Sequence, residues 1–227
     1  RRSDIWVSTS GKNSAILGAL NPFSNAGIVD SWGTELGLDY TKRIGDFQLN
    51  LGGKFSFYRS KIVEQLEEPR AYDYLRTTDK AVGQIFGLQA IGYFTDQADI
   101  DNSPAQQFGP VKPGDIKYKD INGDGIINDN DKIAMGYNAS CPEVYYSFNL
   151  GLEWKGLGFN VAFQGVGNYT AYLSTTSLYR PLVGNATISN YYYNNRWTPE
   201  TPDARFPRLT TEKVDNNLQT SSVWLAD

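Results

Sequence analysis

Residues 145–166 read YYSFNLGLEWKGLGFNVAFQGV. From Tyr145 to Lys155, the residues Tyr146, Phe148, Leu150, Leu152 and Trp154 alternate with Ser147, Asn149, Gly151, Glu153 and Lys155. From Leu157 to Val166, the residues Leu157, Phe159, Val161 and Phe163 alternate with Gly158, Asn160, Ala162 and Gln164. A period of two sends successive side chains to opposite faces of a strand. Each run therefore predicts a strand with one apolar face and one polar or small face, the two being joined around Gly156.

The same pattern occurs twice earlier in the chain. Between Ile28 and Tyr40, the residues Ile28, Trp32, Leu36, Leu38 and Tyr40 share one parity, and Ser31, Gly33, Glu35, Gly37 and Asp39 the other. Between Phe47 and Tyr58, Phe47, Leu49, Leu51, Phe55 and Phe57 alternate with Gln48, Asn50, Gly52, Lys54 and Ser56. Strands of soluble sheets average about 5–6 residues, whereas a tilted strand that crosses a bilayer needs about 9–11. These four runs are of the longer kind. The aromatics Tyr40, Tyr58, Tyr146 and Trp154 fall where an interfacial girdle is expected.

The connections are of two kinds. Residues 41–46 join the first two strands, and the turn at Gly156 joins the last two. Residues 59–144 separate the middle pair, forming a long external loop region, and everything after Gly167 follows the fourth strand. Short turns alternating with long loops are the layout of an outer-membrane barrel. Ile5-Trp6-Val7 reads as the end of one further strand, with residues 11–27 as a loop. The fold class expected is all-β, an antiparallel transmembrane β-barrel segment with long extracellular loops. About eight strands are the fewest that close a barrel, so these few imply an incomplete one. In such a barrel Trp32, Leu36, Leu49, Phe55, Phe148, Leu150, Phe159 and Val161 form one lipid-facing band. A soluble β-sandwich with one polar face per sheet is the competing architecture.

Composition agrees with an all-β chain: 14% of the 227 residues are aromatic, and 22 are glycine. The formal charge of −4 leaves no basic field for nucleic acid. One cysteine, Cys141, and no histidine exclude an internal disulfide, Cys/His zinc sites and His-based triads. No apolar run reaches the ~18 residues of a membrane helix. The mean hydropathy of −0.45 suits a barrel, in which only alternate strand residues meet lipid.

One motif is sharp. Residues 120–131 read DINGDGIINDND. Asp120, Asn122 and Asp124 stand at positions one, three and five of a calcium loop, Gly125 at six, Ile126 at seven with its carbonyl, Asn128 at nine and Asp131 at twelve. Alternating acidic and amide oxygens on a tight loop suit a hard cation that takes six to eight oxygen ligands. Asp at the twelfth position is shorter than the usual Glu. The expected cofactor is structural Ca2+ pinning a loop, and the bland reading is an Asx-rich turn that binds nothing.

The run Pro113-Gly114-Asp115-Ile116-Lys117-Tyr118-Lys119-Asp120 into that loop resembles the C-terminal region of SusC/RagA-like TonB-dependent transporters. Asn25-Ala26-Gly27, VGQIFGLQAIGYF (Val82 to Phe94), Phe163-Gln164-Gly165-Val166, RWTPETPDARFPRL (Arg196 to Leu209) and the residues from Ser221 to Asp227 resemble that family in the same order. The resemblance implies that residues 1–227 belong to one receptor barrel of about twenty-two strands, with the plug domain and final strands absent from this stretch. It implies import of oligosaccharides or peptides across the outer membrane of a Gram-negative, Bacteroidetes-like bacterium. The TonB complex would supply energy and a SusD-like lipoprotein the lid.

Flat aromatic rings can cover the C–H face of a sugar while neighbouring amides and guanidinium groups donate hydrogen bonds. Tyr191, Tyr192, Tyr193 and Trp197, with Arg196, are the candidate contacts for substrate or lid. Glu35, Asp39, Lys54, Glu153 and Lys155 lie on polar strand faces and suit a lumen wall. No catalytic carboxylate pair stands out, so no enzyme is expected. A soluble calcium-stabilised carbohydrate-binding or adhesion module is the alternative function.

Overall fold

The computed structural model describes residues 1–8 and 23–226. The loop expected over residues 11–27 lies outside the described residues as far as residue 22, and from Phe23 onward the chain is already strand. The chain forms two compact units. One is Arg1–Pro69, Arg76–Gln84 and Tyr137–Thr170, and the other is Arg70–Leu75, Ile85–Gly136 and Ala171–Asp227.

The first unit is an antiparallel five-stranded sheet: β1 (Arg2–Ser8), β2 (Phe23–Ile44), β3 (Phe47–Glu64), β4 (Val144–Trp154) and β5 (Leu157–Gly167), in that spatial order. The four alternating runs are all strands. β2 and β3 exceed the expected bounds because the backbone stays extended where apolar alternation stops. Two-residue turns close both hairpins. Lys155 (φ +47°) and Gly156 (φ +86°) are both left-handed, the combination whose twist matches the flanking strands.

Register decides which side chains share a face. Tyr40, Leu51, Leu150 and Val161 form one row across β2–β5, flanked by the rows Leu38–Gly53–Phe148–Phe163 and Lys42–Leu49–Leu152–Phe159. The last row before the turns is Ile44–Phe47–Trp154–Leu157. The other face carries Gly37–Lys54–Ser147–Gln164, Asp39–Gly52–Asn149–Ala162 and Thr41–Asn50–Gly151–Asn160. The apolar face is uncovered: Leu38 is 71% exposed, Leu157 71% and Phe163 61%. On the polar face, the Asn149 amide lies where a side chain on Gly52 would stand, 2.2 Å from its ideal Cβ. Tyr58 shares this polar face, opposite Gly33, and its hydroxyl bonds Ser31 Oγ at 3.0 Å. It therefore leaves the expected girdle; Tyr40, Tyr146 and Trp154 keep the apolar parity.

β3 outruns β4 by several residues, and the freed edge is covered. Tyr58 N–H donates to the Glu143 carbonyl (2.7 Å), Asp79 N–H to Ile62 O (2.8 Å), and Ile62 N–H to Lys80 O (2.8 Å). Residues 76–84 thus stand in for β4 beside an otherwise bare edge. Glu67 anchors this strap, accepting from the N–H and hydroxyl of both Thr77 and Thr78. A second clasp ties the body of β3 to the start of β4 and the end of β5. Arg59 donates two bonds to Glu143 (2.9 and 2.6 Å), and Asn168 Nδ2 donates a third (3.0 Å).

The second unit draws on the region 59–144, expected as a long external loop region, and on the residues after β5. Residues 85–136 pack together with 171–226 around Leu88, Ile116, Tyr118, Ile127, Phe206 and Trp224, each at most 1% exposed. Its strands are short: Ala90–Tyr93 pairs with Ile116–Tyr118, and Ala105–Gln106 runs parallel to Ile126–Ile127. Side-chain amides replace a neighbouring strand along the other edge of 116–118. Asn217 Oδ1 accepts from Ile116 N–H (2.9 Å), Gln106 Oε1 accepts from Tyr118 N–H (2.7 Å), and Gln106 and Asn216 both donate to Ile116 O (2.9 Å each). Asp115 is fully buried and held by Arg208 (2.8 Å), Asn217 (2.8 Å) and the Lys112 N–H (2.8 Å).

Gly114 (φ +86°) lies under the Trp197 ring, 2.4 Å from where its Cβ would be, whereas Gly123 (φ +75°) has open space. Gly123→Ala is expected to cost about 1 kcal/mol from backbone strain alone. Gly114→Ala adds a steric clash and is expected to cost roughly 2–4 kcal/mol; comparing the two melting temperatures checks this. Burial pushes the Glu67 carboxyl up, but its four threonine bonds outweigh that and hold it at about 2, below the ordinary 4.5. The stabilisation is complete above pH 4.5 and is lost as pH falls toward 2. Protection of the Thr77 and Thr78 amides from hydrogen exchange is expected to fall across that window, and to be weak at every pH in Glu67→Gln.

Candidate functional site

Three features carry functional potential, and they arise from different local physics. The first is the two-faced sheet. Glu35, Lys54, Ser56, Tyr145, Ser147 and Gln164 lie on the polar parity in adjoining rows and line one concavity. Carboxylate, ammonium, hydroxyl and amide groups are thus offered together on one wall. No two of them are arranged as an acid/base pair. Glu153 and Lys155 lie near the turns, where Lys155 approaches Asp46 at 3.8 Å.

The second feature is the loop 120–131. Asp120 accepts from the N–H groups of Gly123 (2.6 Å) and Gly125 (2.8 Å). Asn122 Oδ1 accepts from Asp124 N–H (3.0 Å), and Asp124 Oδ1 from Ile126 N–H (2.8 Å). Gly125 at the sixth position has φ +79°, and Ile127 at the eighth is fully buried in the core. Asn128 caps the turn 129–131, accepting from Asn130 N–H (2.7 Å). Asp131 is fully buried and accepts from Ile121 N–H (2.9 Å) and Asn128 N–H (2.8 Å). Two stacked tyrosines hold the loop from outside. Asn122 Nδ2 donates to the Tyr72 hydroxyl (3.2 Å), and the Tyr74 hydroxyl donates to Asn130 O (2.6 Å). Burial raises the Tyr74 phenol above its ordinary value, and the charges of Asp131, Tyr72, Asp124 and Asp120 add to this. Among the described residues no three acidic side chains cluster tightly enough to hold a metal by themselves. A cation here would depend equally on the amide oxygens of Asn122 and Asn128 and the carbonyl of Ile126.

The third feature is the aromatic run 191–197, which divides by burial. A short helix, Asn190–Asn194, is capped by Ser189 and turns Tyr192 inward. Tyr192 is 2% exposed, stacks on Phe206 at 4.7 Å, and its hydroxyl donates to Pro207 O (3.0 Å). Trp197 is 8% exposed, its ring against Gly114. Both are core residues, which corrects their candidacy as ligand contacts: a ring already packed on protein cannot receive a second face. Tyr191 (58%) and Tyr193 (50%) remain exposed. Arg196 lies over the Tyr193 ring at 3.9 Å and also donates to the Tyr193 carbonyl.

Sequence reading missed the Arg59–Glu143–Asn168 clasp, the Glu67 strap and the amide network on 116–118. Their partners lie as far as about a hundred positions apart, and no local periodicity marks them.

No family model matches the chain. Over 139 residues, 56% of the chain, it is 30% identical to TonB-dependent receptor P26 of Formosa agariphila, and that match covers 12% of the receptor. Its fold is similar to part of the RagAB peptide transporter (TM-score 0.60, 14% identity, 91% of this chain and 22% of that one). It is equally similar to part of the RagAB peptide importer in its open-open state (TM-score 0.61, 15% identity, 96% and 23%). The chain thus spans about an eighth of the curated relative and under a quarter of the solved structures. Residues and fold lead to the same place: this all-β chain is similar, over a limited stretch of their length, to TonB-dependent outer-membrane transporters.

Proposed function

We propose that the chain is a portion of the barrel wall of a TonB-dependent importer in a Gram-negative, Bacteroidetes-like outer membrane, together with segments of its external surface. The carrying observation is the register of β2–β5, which gathers the large apolar residues onto one uncovered face and the polar residues onto the other. A sandwich would bury that apolar face under a second sheet, whereas a barrel needs it open to lipid. The segments after β3 and after β5 leave the sheet at the end opposite the two-residue turns, the arrangement of long external connections.

The imported class is oligosaccharides or peptides, with a SusD-like surface lipoprotein as lid and the TonB complex as energy source. The exposed rings of Tyr191 and Tyr193, with Arg196, are the contacts available to substrate or lid. The loop 120–131 takes structural Ca2+ through Asp120, Asn122, Asp124, Ile126, Asn128 and Asp131. The sequence pattern and the buried Asp131 carboxylate support this reading, because a cation would offset that charge.

Trp32 and Trp154 share the apolar parity at its two ends. In vesicles, brominated acyl chains are expected to quench both, with the quenching lost on Trp→Phe; unquenched tryptophans would remove the membrane reading. Leu150→Arg on the apolar face is expected to destabilise by about 2–4 kcal/mol, and Ala162→Arg on the polar face by about 0.5 kcal/mol or less, in equilibrium unfolding from the same vesicles. Calcium is expected to raise the melting temperature of the protein and to do so far less in Asp120→Asn. An equal calcium response in both would discard the metal assignment.

A further inference from the structure

Lys42 is a cation on the wrong face for a soluble sheet. Its register partner is Leu49, and its row continues through Leu152 and Phe159. Tyr40 and Ile44 flank it on β2, on the same parity. The side chain is exposed, and among the described residues it has no carboxylate partner. Its strand neighbour Arg43 has the opposite parity and belongs to the polar face.

A lysine among lipid-facing residues is costly at the bilayer midplane and nearly free at the interface. The register gives its depth. The next cationic row on the apolar face is Trp32–Arg59, ten residues up β2 from Lys42. Ten residues of strand span about 33 Å, which at a tilt of about 40° is roughly 25 Å of membrane thickness, the height of a barrel's apolar band. Between the two cationic rows, the apolar parity of β2–β5 carries no charge. Arg59 already has its anion in Glu143, 2.6–2.9 Å away. Lys42 has none among the described residues, and Trp154 stands one row nearer the turns, as an interfacial ring would.

We propose that Lys42 binds the phosphate of an anionic phospholipid headgroup in the leaflet on the side of the short turns, fixing the depth of the sheet in the membrane. This rests on the barrel-wall reading. A lysine suits this position, because its four-carbon stem can stay on the apolar face while the ammonium reaches the headgroup plane. The charge, rather than the stem, does the recognising, so arginine can replace it.

The test is phosphatidylglycerol retention by the purified intact protein, measured by native mass spectrometry after exchange into detergent. Lys42→Gln is expected to retain about fivefold less, the effect of one cation near a charged lipid surface. Lys42→Arg is expected to retain as much as the starting protein, and so is Lys54→Gln, which removes a lysine from the polar face. Unchanged retention in Lys42→Gln overturns the assignment. An equal loss in Lys54→Gln also overturns it, since lipid would then follow overall charge. The two failures remain distinguishable from failure of the barrel reading, which brominated-lipid quenching reports separately: quenched tryptophans with unchanged retention remove only the Lys42 site.

Discussion

The constraint on which the sheet depends is register. A strand slipped by one residue would send Leu150, Leu152 and Trp154 to the face that carries Asn50, Lys54 and Gln164. Nothing in the backbone hydrogen bonds forbids that slip, because every ladder is equally satisfied after it. What forbids it is side-chain matching across four strands at once. The Gly52 position must meet Asn149, because any Cβ there would collide with the amide. The two-residue turns at Gly45-Asp46 and Lys155-Gly156 then fix the pairing from the other end, leaving no spare residue to absorb an offset.

The second unit solves the same accounting problem by other means. Its strands are two to four residues long and cannot satisfy their backbone through ladders alone. Asn216, Asn217 and Gln106 supply the missing partners, and the Trp224 indole donates to Asn217 O at 2.7 Å. Each amide offers both a donor and an acceptor, so it can copy the edge of a strand. Arg208 and Asn217 neutralise and bond the buried Asp115, which in turn holds the turn at Lys112. Removing one member would leave the others buried and unpaired, which makes such a network stringent.

These differences explain what could be read from the sequence. The four strands were legible because period-two alternation is a local signal, repeated over eleven residues in β4 and β5. The stretches 23–27 and 59–64 lack that alternation and carry no local strand signal, although they are strand. The first pairs with β1, and the second pairs with Ile28–Trp32 of β2 and bonds residues 79–80 along its other edge. Tyr192 and Trp197 looked like neighbours of Tyr191 and Tyr193 in composition. A short helix capped at Ser189 rotates Tyr192 inward, and Gly114, some eighty residues away, makes room for Trp197. Burial of an aromatic within a polar, irregular segment has no periodic signature, so its sidedness cannot be predicted from the segment alone.

The loop 120–131 joins the two kinds of order. Its pattern is local and was readable at once, yet its shape is enforced from elsewhere. Ile127 is fixed in the core, the parallel pairing of 126–127 with 105–106 and the Tyr74 bond to Asn130 hold one limb, and Tyr72 holds the other at Asn122. The backbone N–H groups of the loop point at Asp120, Asp124 and Asp131, so the chain is folded around its carboxylates. Arranging those carboxylates in a disordered loop would cost conformational entropy for each residue fixed. Here that cost falls on the folding of the whole unit.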